Sequence, residues 1–265
     1  MPAVSVVAVG LLCPAGIGEQ GASGGRPGEV PGFRARAYVD NRKNLKLMSR
    51  AVKLGVSGIR LALSGAGDWE SVPPERRGMF VGSTPLGGEI GDLTPALELC
   101  SDEDGHVDLG KFAREGIDRI HPLWLVKGLS NNVLGFASAT HNFQGANGNY
   151  CDGALSGANA LREGWAAIAE GRADVVVAGA ADSLVGLEAL FPGDKASEGA
   201  AFFALVPGEL PGCARLVEGK GTLPDEYSEL GNIGAATELV GLARGLLRGE
   251  SGLGLPAVGL RLEIP

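Results

Sequence analysis

Two rhythms of apolar spacing run along the chain. Residues 4–10, VSVVAVG, form a continuous β-branched run closed by glycine and predict a buried first strand. In the following IGEQGASGGRPGEVPGFR, glycine and proline interrupt any period, so a surface loop is expected. GASGGRPG is only loosely similar to a dinucleotide-binding loop, since it lies well beyond the strand and opens no helix. Leu45, Met48, Val52, Val56, Ile59 and Leu63 then recur at threes and fours, the apolar face of a helix. GMFVGST (78–84) reads as a short buried strand. SDEDGHVD, within 101–117, reads as a solvated acidic loop, because it lacks the glutamate that a calcium loop needs at its twelfth position.

The pattern is densest between 121 and 183. PLWLVKGLSNNVLGFASATH predicts a helical region, GANGNYCDGA a strand and turn, and LSGANALREGWAAIAEG a helix. Leu155, Ala158, Leu161, Trp165 and Ile168 supply that helix with an apolar stripe, and Gly171 stands where a C-terminal cap belongs. ADVVVAGAADS is apolar at odd and even positions alike, the mark of a strand covered on both faces. EGAAFFALVPGE and CARLVEGKGT predict two more strands, NIGAATELVGLARGLLRG a second amphipathic helix, and PAVGLRLEIP a last strand. Strands alternating with buried helices predict a layered α/β domain.

Composition narrows the chemistry. The 265 residues suffice for one large domain or two small ones. Forty-four glycines without a G-X-Y period imply tight turns and close backbone approaches rather than collagen. Net charge is −8 and no run of Lys or Arg stands out, so neither nucleic acid nor an anionic membrane is expected as a partner. Four cysteines, Cys13, Cys100, Cys151 and Cys213, are too few for a disulfide framework in a chain this long. No metal-ligand spacing occurs, and no cofactor is implied. The opening MPAVSVVAVGLLCPAGIG lacks the basic start of a signal peptide, and no apolar run reaches the ~18 residues of a membrane span. A cytoplasmic location is the resulting expectation.

The motifs in sequence order resemble the β-ketoacyl synthase family, which has the thiolase fold. GRADVVVAGAADS after a glycine-punctuated helix is similar to the family's strand that follows the nucleophile. Pro122, Asn131 and Gly145 fall on its upstream positions, SEGAAFFALV (197–206) on its G-E-G-A strand, and VSVVAVGLLCPAGIG on its opening strand and turn. The resemblance implies an α/β, thiolase-like layered αβαβα fold with a contracted C-terminal half. Residues 1–207 would be the ketosynthase N-terminal-like half and 208–265 a remnant of the second half, in one continuous domain.

With Gly171, Asp174 and Gly179 in register, the family's cysteine nucleophile falls on Ala154, and NIGAATELVG places Ala235 at the family's histidine. The H-G-T-G-T stretch and the late glycine turn have no counterpart. A condensing enzyme must bring nucleophile, proton-transfer groups and oxyanion donors together, so the resemblance implies a pseudoenzyme of an acyltransferase family. Cys151, with His141 ten residues earlier, is the outside candidate for a displaced dyad; otherwise Cys151 is expected to be a small buried core or interface residue. His106 and His121 are expected in surface or capping roles.

In the family, the strand before the nucleophile pairs with its twin across a dimer axis. That implies an interface at Asn149, Tyr150, Cys151 and Leu155, in a homodimer or a heterodimer with a related thiolase-fold subunit. Three roles are open. One is a dimeric scaffold, adaptor or chaperone, similar to degenerate thiolase-like proteins that accompany bacterial effector-secretion genes, with an effector or carrier protein as further partner. Another is a chain-length-factor-like partner of an active ketosynthase, and the last an acyltransferase using Cys151.

Overall fold

The strand that reads as apolar on both faces lies inside a nine-stranded sheet. The computed structural model describes residues 3–85 and 90–265. Its strands are β1 (Val4–Cys13), β2 (Gly16–Ile17), β3 (Arg77–Gly82), β4 (Asn147–Tyr150), β5 (Val175–Ser183), β6 (Glu198–Pro207), β7 (Ala214–Glu218), β8 (Gly254–Leu255) and β9 (Leu260–Glu263). The principal helices are α1 (Arg50–Ser64), α2 (Thr94–Cys100), α3 (Asn132–His141), α4 (Ser156–Ala169), α5 (Glu226–Leu230) and α6 (Thr237–Leu247). The sheet order is β4-β3-β5-β6-β1-β7-β9-β8, with β2 folded back on β1. β4, β3 and β5 are parallel and the remaining neighbours antiparallel.

The strand period of two divides the core. Val176, Ala178 and Ala180 of β5, with Phe203 and Leu205 of β6, pack among α4 and α6 residues such as Leu161, Trp165, Leu239 and Leu242. Val177 and Ala181, with Phe202 and Ala204, face Val52, Val56 and Ile59 of α1 and Val133 of α3. The far end of the sheet adds Leu216, Leu255, Leu260 and Leu262 to the cluster around α4 and α6. Trp165 Nε1 donates to the Leu216 carbonyl at 2.9 Å and ties that end to α4. Helix α1 lies close enough on β1 that a Cβ on Gly10 would stand 1.9 Å from the Gly58 carbonyl oxygen.

Some boundaries differ from the sequence expectation, for local reasons. The first strand runs on to Cys13, because its pairing with β6 continues to Leu12 opposite Ala200. The helical face starting at Leu45 is split: Ser49 Oγ accepts from Val52 N–H at 3.4 Å and starts α1 at Arg50, leaving Leu45 in a separate turn. The acidic stretch is a loop only as far as Asp108. The Asp108 carboxylate accepts from Lys111 N–H at 2.9 Å, and the chain turns helical from Leu109 to Arg119. Within the expected last strand, PAVGLRLEIP, only Leu260–Glu263 is strand, preceded by a tight turn at Pro256–Val258.

Beyond β7, a buried ionic knot fastens the chain to the loop after β2. The fully buried Arg244 guanidinium pairs with Glu226, reaches Glu229 at 3.1 Å and donates to the Gly24 carbonyl at 2.8 Å. One turn on, Arg248 reaches Glu226 at 3.2 Å and donates to the Ala22 carbonyl at 2.7 Å. Among the described residues, no helix is long and apolar enough to cross a membrane.

Candidate functional site

Two tight turns meet at one edge of the α4–α6 layer, and each carries an alanine that the sequence singled out. Leaving β4, the chain passes Cys151 and turns through Gly153–Leu155, with Gly153 at φ +64°, before α4 begins at Ser156. Ser156 Oγ holds this corner by accepting from Asp152 N–H at 2.8 Å and donating to the Gly153 carbonyl at 2.7 Å. Ala154 sits exposed on the turn that feeds the α4 N-terminus, where backbone N–H groups concentrate positive potential.

The second turn, Gly234–Ala236, feeds α6 and packs against the first. Asn232 Oδ1 accepts from Gly234 N–H at 2.8 Å, and Ile233 N–H donates to Thr237 Oγ1 at 2.9 Å. Ala235 is fully buried. A Cβ on Gly157 would lie 2.5 Å from the Ala235 carbonyl oxygen, and one on Gly82 equally close to Gly157 N. Glycine at those two places lets the end of β3, the start of α4 and the Ala235 turn converge. Ala154 and Ala235 therefore lie on neighbouring turns, the first exposed and the second buried.

A carboxyl that the sequence reading passed over joins these parts. Asp182, at the end of β5, accepts from Ala235 N–H (3.1 Å), Ser183 N–H (2.9 Å) and Thr84 Oγ1 (3.1 Å). Burial pushes its pKa up to about 6, outweighing the hydrogen bonds that favour its charged form. The signal was an acid closing an otherwise apolar strand. Next to it, Ser183 Oγ donates to Glu198 Oε2 at 3.1 Å; Glu198 also accepts from Val30 N–H and pairs with Arg50 at 2.5 Å.

Of the core and interface places expected for Cys151, the core is excluded: it is exposed, because β4 ends at Tyr150 and the thiol follows at the open edge. Its sulfur lies 3.3 Å from Asn149 Nδ2 and 3.5 Å from Ser83 Oγ. Cys213 is half-buried in the turn before β7. Nor does the structure bring His141 to Cys151. Gly145 N–H donates to the Arg77 carbonyl, and Ser83 N–H to the Tyr150 carbonyl. His141 thus precedes the start of the β3–β4 pair and Cys151 follows its end, about 20 Å away along extended strand. The His141 ring instead meets Trp69 edge-on at 5.9 Å, with its pKa lowered by burial and by Arg60. His121 Nδ1 accepts from Leu123 N–H at 3.1 Å, a capping role, and His106 lies exposed beside Asp102.

The expected interface residues share one border of the molecule. β4 is the terminal strand and pairs only with β3 among the described residues, so its outer edge is open. Asn149 and Tyr150 are half-buried on it, and Asn149 Oδ1 is enclosed without a hydrogen-bond partner. Leu155, 42% exposed, stands just beyond.

The absence of a basic cluster does not survive folding. Residues 34–53 hold seven cations and one acid, Asp40, spaced so that no run forms. The turns at Ala35–Ala37 and Asn44–Leu47 and the start of α1 gather four of them, Arg34, Arg36, Lys46 and Lys53, around one concavity of about 580 Å³.

No protein-family model matches the sequence, and no curated protein matches it. Solved structures do. A type II polyketide synthase acyl-carrier protein in complex with its ketosynthase bound to the hexaketide aligns over 86% of this chain and 71% of that one, at 20% identity and TM-score 0.64. The ishigamide ketosynthase/chain length factor aligns over 92% and 90%, at 16% and 0.66. A β-ketoacyl synthase from Burkholderia phymatum aligns over 84% and 65%, at 19% and 0.62. At such identities the likeness defines the fold: a mixed α/β, thiolase-like architecture of the kind ketosynthases and chain length factors have.

Proposed function

We propose that this chain is a catalytically inactive, ketosynthase-like protein that works through protein–protein contacts, as a dimeric scaffold, adaptor or chaperone joined along β4. The observation that carries the reading is the pairing of two neighbouring turns, with Ala154 and Ala235 where the sequence resemblance expects the nucleophile and the histidine. A methyl group neither holds an acyl chain nor moves a proton. The open edge of β4 supports the dimer, because an unpaired row of N–H and C=O groups is a template for strand addition. A twin β4, or the matching strand of a related subunit, would satisfy that row and cover Tyr150 and Leu155. Four cysteines without a disulfide support a reducing, cytoplasmic setting.

A second reading is a non-catalytic partner subunit of an active ketosynthase. It is favoured by the match to a ketosynthase/chain length factor over 90% of that chain's length. On this reading a carrier protein is a further partner, as one is for the ketosynthase bound to its acyl-carrier protein.

Native mass spectrometry tests the interface. The wild type is expected as a dimer, alone or with a ketosynthase subunit, and Tyr150→Asp or Leu155→Asp as folded monomers. A wild type that stays monomeric with every candidate subunit would sink the β4 interface. Intact mass after incubation with acyl-CoA and acyl-carrier-protein thioesters tests inactivity. No adduct is expected, whereas a stoichiometric adduct lost in Cys151→Ser would make the chain an acyltransferase.

A further inference from the structure

We infer that the concavity at the entrance to α1 is a binding site for a small polyphosphate-bearing ligand. Arg34, Ala35, Arg36, Leu45, Lys46 and Lys53 line it, and its volume of about 580 Å³ lies within the range of small-molecule sites. Four of its six lining residues are cations and none is an acid, in a chain whose net charge is −8.

These cations have no partners of their own among the described residues. The acids nearby are committed elsewhere. Asp40 pairs with Arg60 at 2.7 Å, while Glu29 and Glu198 both pair with Arg50, at 3.8 and 2.5 Å. Four like charges around one hollow repel each other, and a multiply charged anion removes that cost while engaging the planar guanidinium forks of Arg34 and Arg36.

The mounting is firm although the side chains are polar. Phe33, Val39, Met48 and Val52, interleaved with the cations, are all buried in the core beneath α1. The Phe33 ring stacks with Tyr38 and underlies the Arg50 guanidinium. The backbone carrying the charges is therefore held before any ligand arrives, which lowers the entropy cost of binding.

Charge distribution selects the size of the ligand. Outside residues 34–53 the chain is strongly acidic. A long polyanion such as a nucleic acid would cross that repelling surface, whereas a compact ligand remains within about one Debye length of the four cations. None of its lining residues belongs to β4 or to the turn that follows it.

Isothermal titration with inorganic tripolyphosphate tests this, at two ionic strengths and against sodium chloride of matched ionic strength. The full-length wild type is expected to bind one equivalent saturably, more weakly at the higher ionic strength. Arg34→Ala/Lys46→Ala and Lys53→Ala should weaken binding, the double variant by about tenfold or more. Lys220→Ala, which removes one exposed charge far along the chain, should leave it unchanged. Circular dichroism confirms that each variant is folded. Absent or non-saturating binding, equal binding by the variants, or binding confined to duplex DNA or a carrier protein would overturn the assignment.

Discussion

Asp182 shows how one residue links the sheet to the Ala235 turn. Its carboxyl is enclosed between β5, Thr84 and the Ala235 turn, and burial raises its pKa to about 6. An unfolded aspartate titrates near 3.9. Between these values the folded state holds a proton that the unfolded state has lost, so this group lowers stability as pH rises from about 4 to 6 and adds no further change above. The shift corresponds to about 3 kcal/mol. Urea unfolding of wild type and Asp182→Asn from pH 4 to 8 checks it: the variant should gain on the wild type by about that amount up to pH 6, then run parallel. A constant difference across the range would remove Asp182 as the cause. Cys151 shows the opposite limit of residue-level reading. Its identity is plain in the sequence, but its exposure depends on where β4 stops.

Among the elements, β1 and α3 carry glycines that look alike in sequence and differ in space. Gly10 of β1 lies against α1, where an added Cβ would meet the Gly58 carbonyl oxygen at 1.9 Å. Gly135 is an exposed interior position of α3 with nothing within 4 Å of an added Cβ. Gly10→Ala is expected to cost about 3 kcal/mol or more through the displaced helix. Gly135→Ala should add about 1 kcal/mol by restoring helix propensity. Chemical denaturation of both variants decides, and equal effects would refute the close α1–β1 packing. Elements with strong periodicity, β5, α4 and α6 above all, were legible from the sequence, because burial of one or both faces demands the pattern. Their ends were not. The start of α1 at Ser49 and the helical turn after Asp108 depend on single capping side chains.

On the scale of the whole molecule, the chain beyond β7 completes the β1-to-β8 end of the sheet and is bolted to the first half by the Arg244 knot. Arg244→Ala leaves Glu226 buried beside Arg248 alone and frees the Gly24 carbonyl. Removing one partner of a buried pair costs about 3–5 kcal/mol, and thermal unfolding is expected at a correspondingly lower midpoint. An unchanged midpoint would mean that the 208–265 segment is held by its leucines alone. The same scale accounts for the basic site. Its cations stand two to ten positions apart in sequence, and only two turns and a helix entrance bring them around one hollow.

By itself the sequence determined the layered α/β class and the strands covered on both faces, which follow from side-chain period, and the alanines at 154 and 235. Tertiary structure alone decided that Ala154 and Ala235 lie on neighbouring turns, that His141 and Cys151 are not neighbours, and that Asp182 lies between the converging turns. It also decided that scattered cations share a pocket. Each of these depends on distances between segments far apart in the chain, and those distances are set by sheet order and by close approaches at glycines such as Gly82 and Gly157.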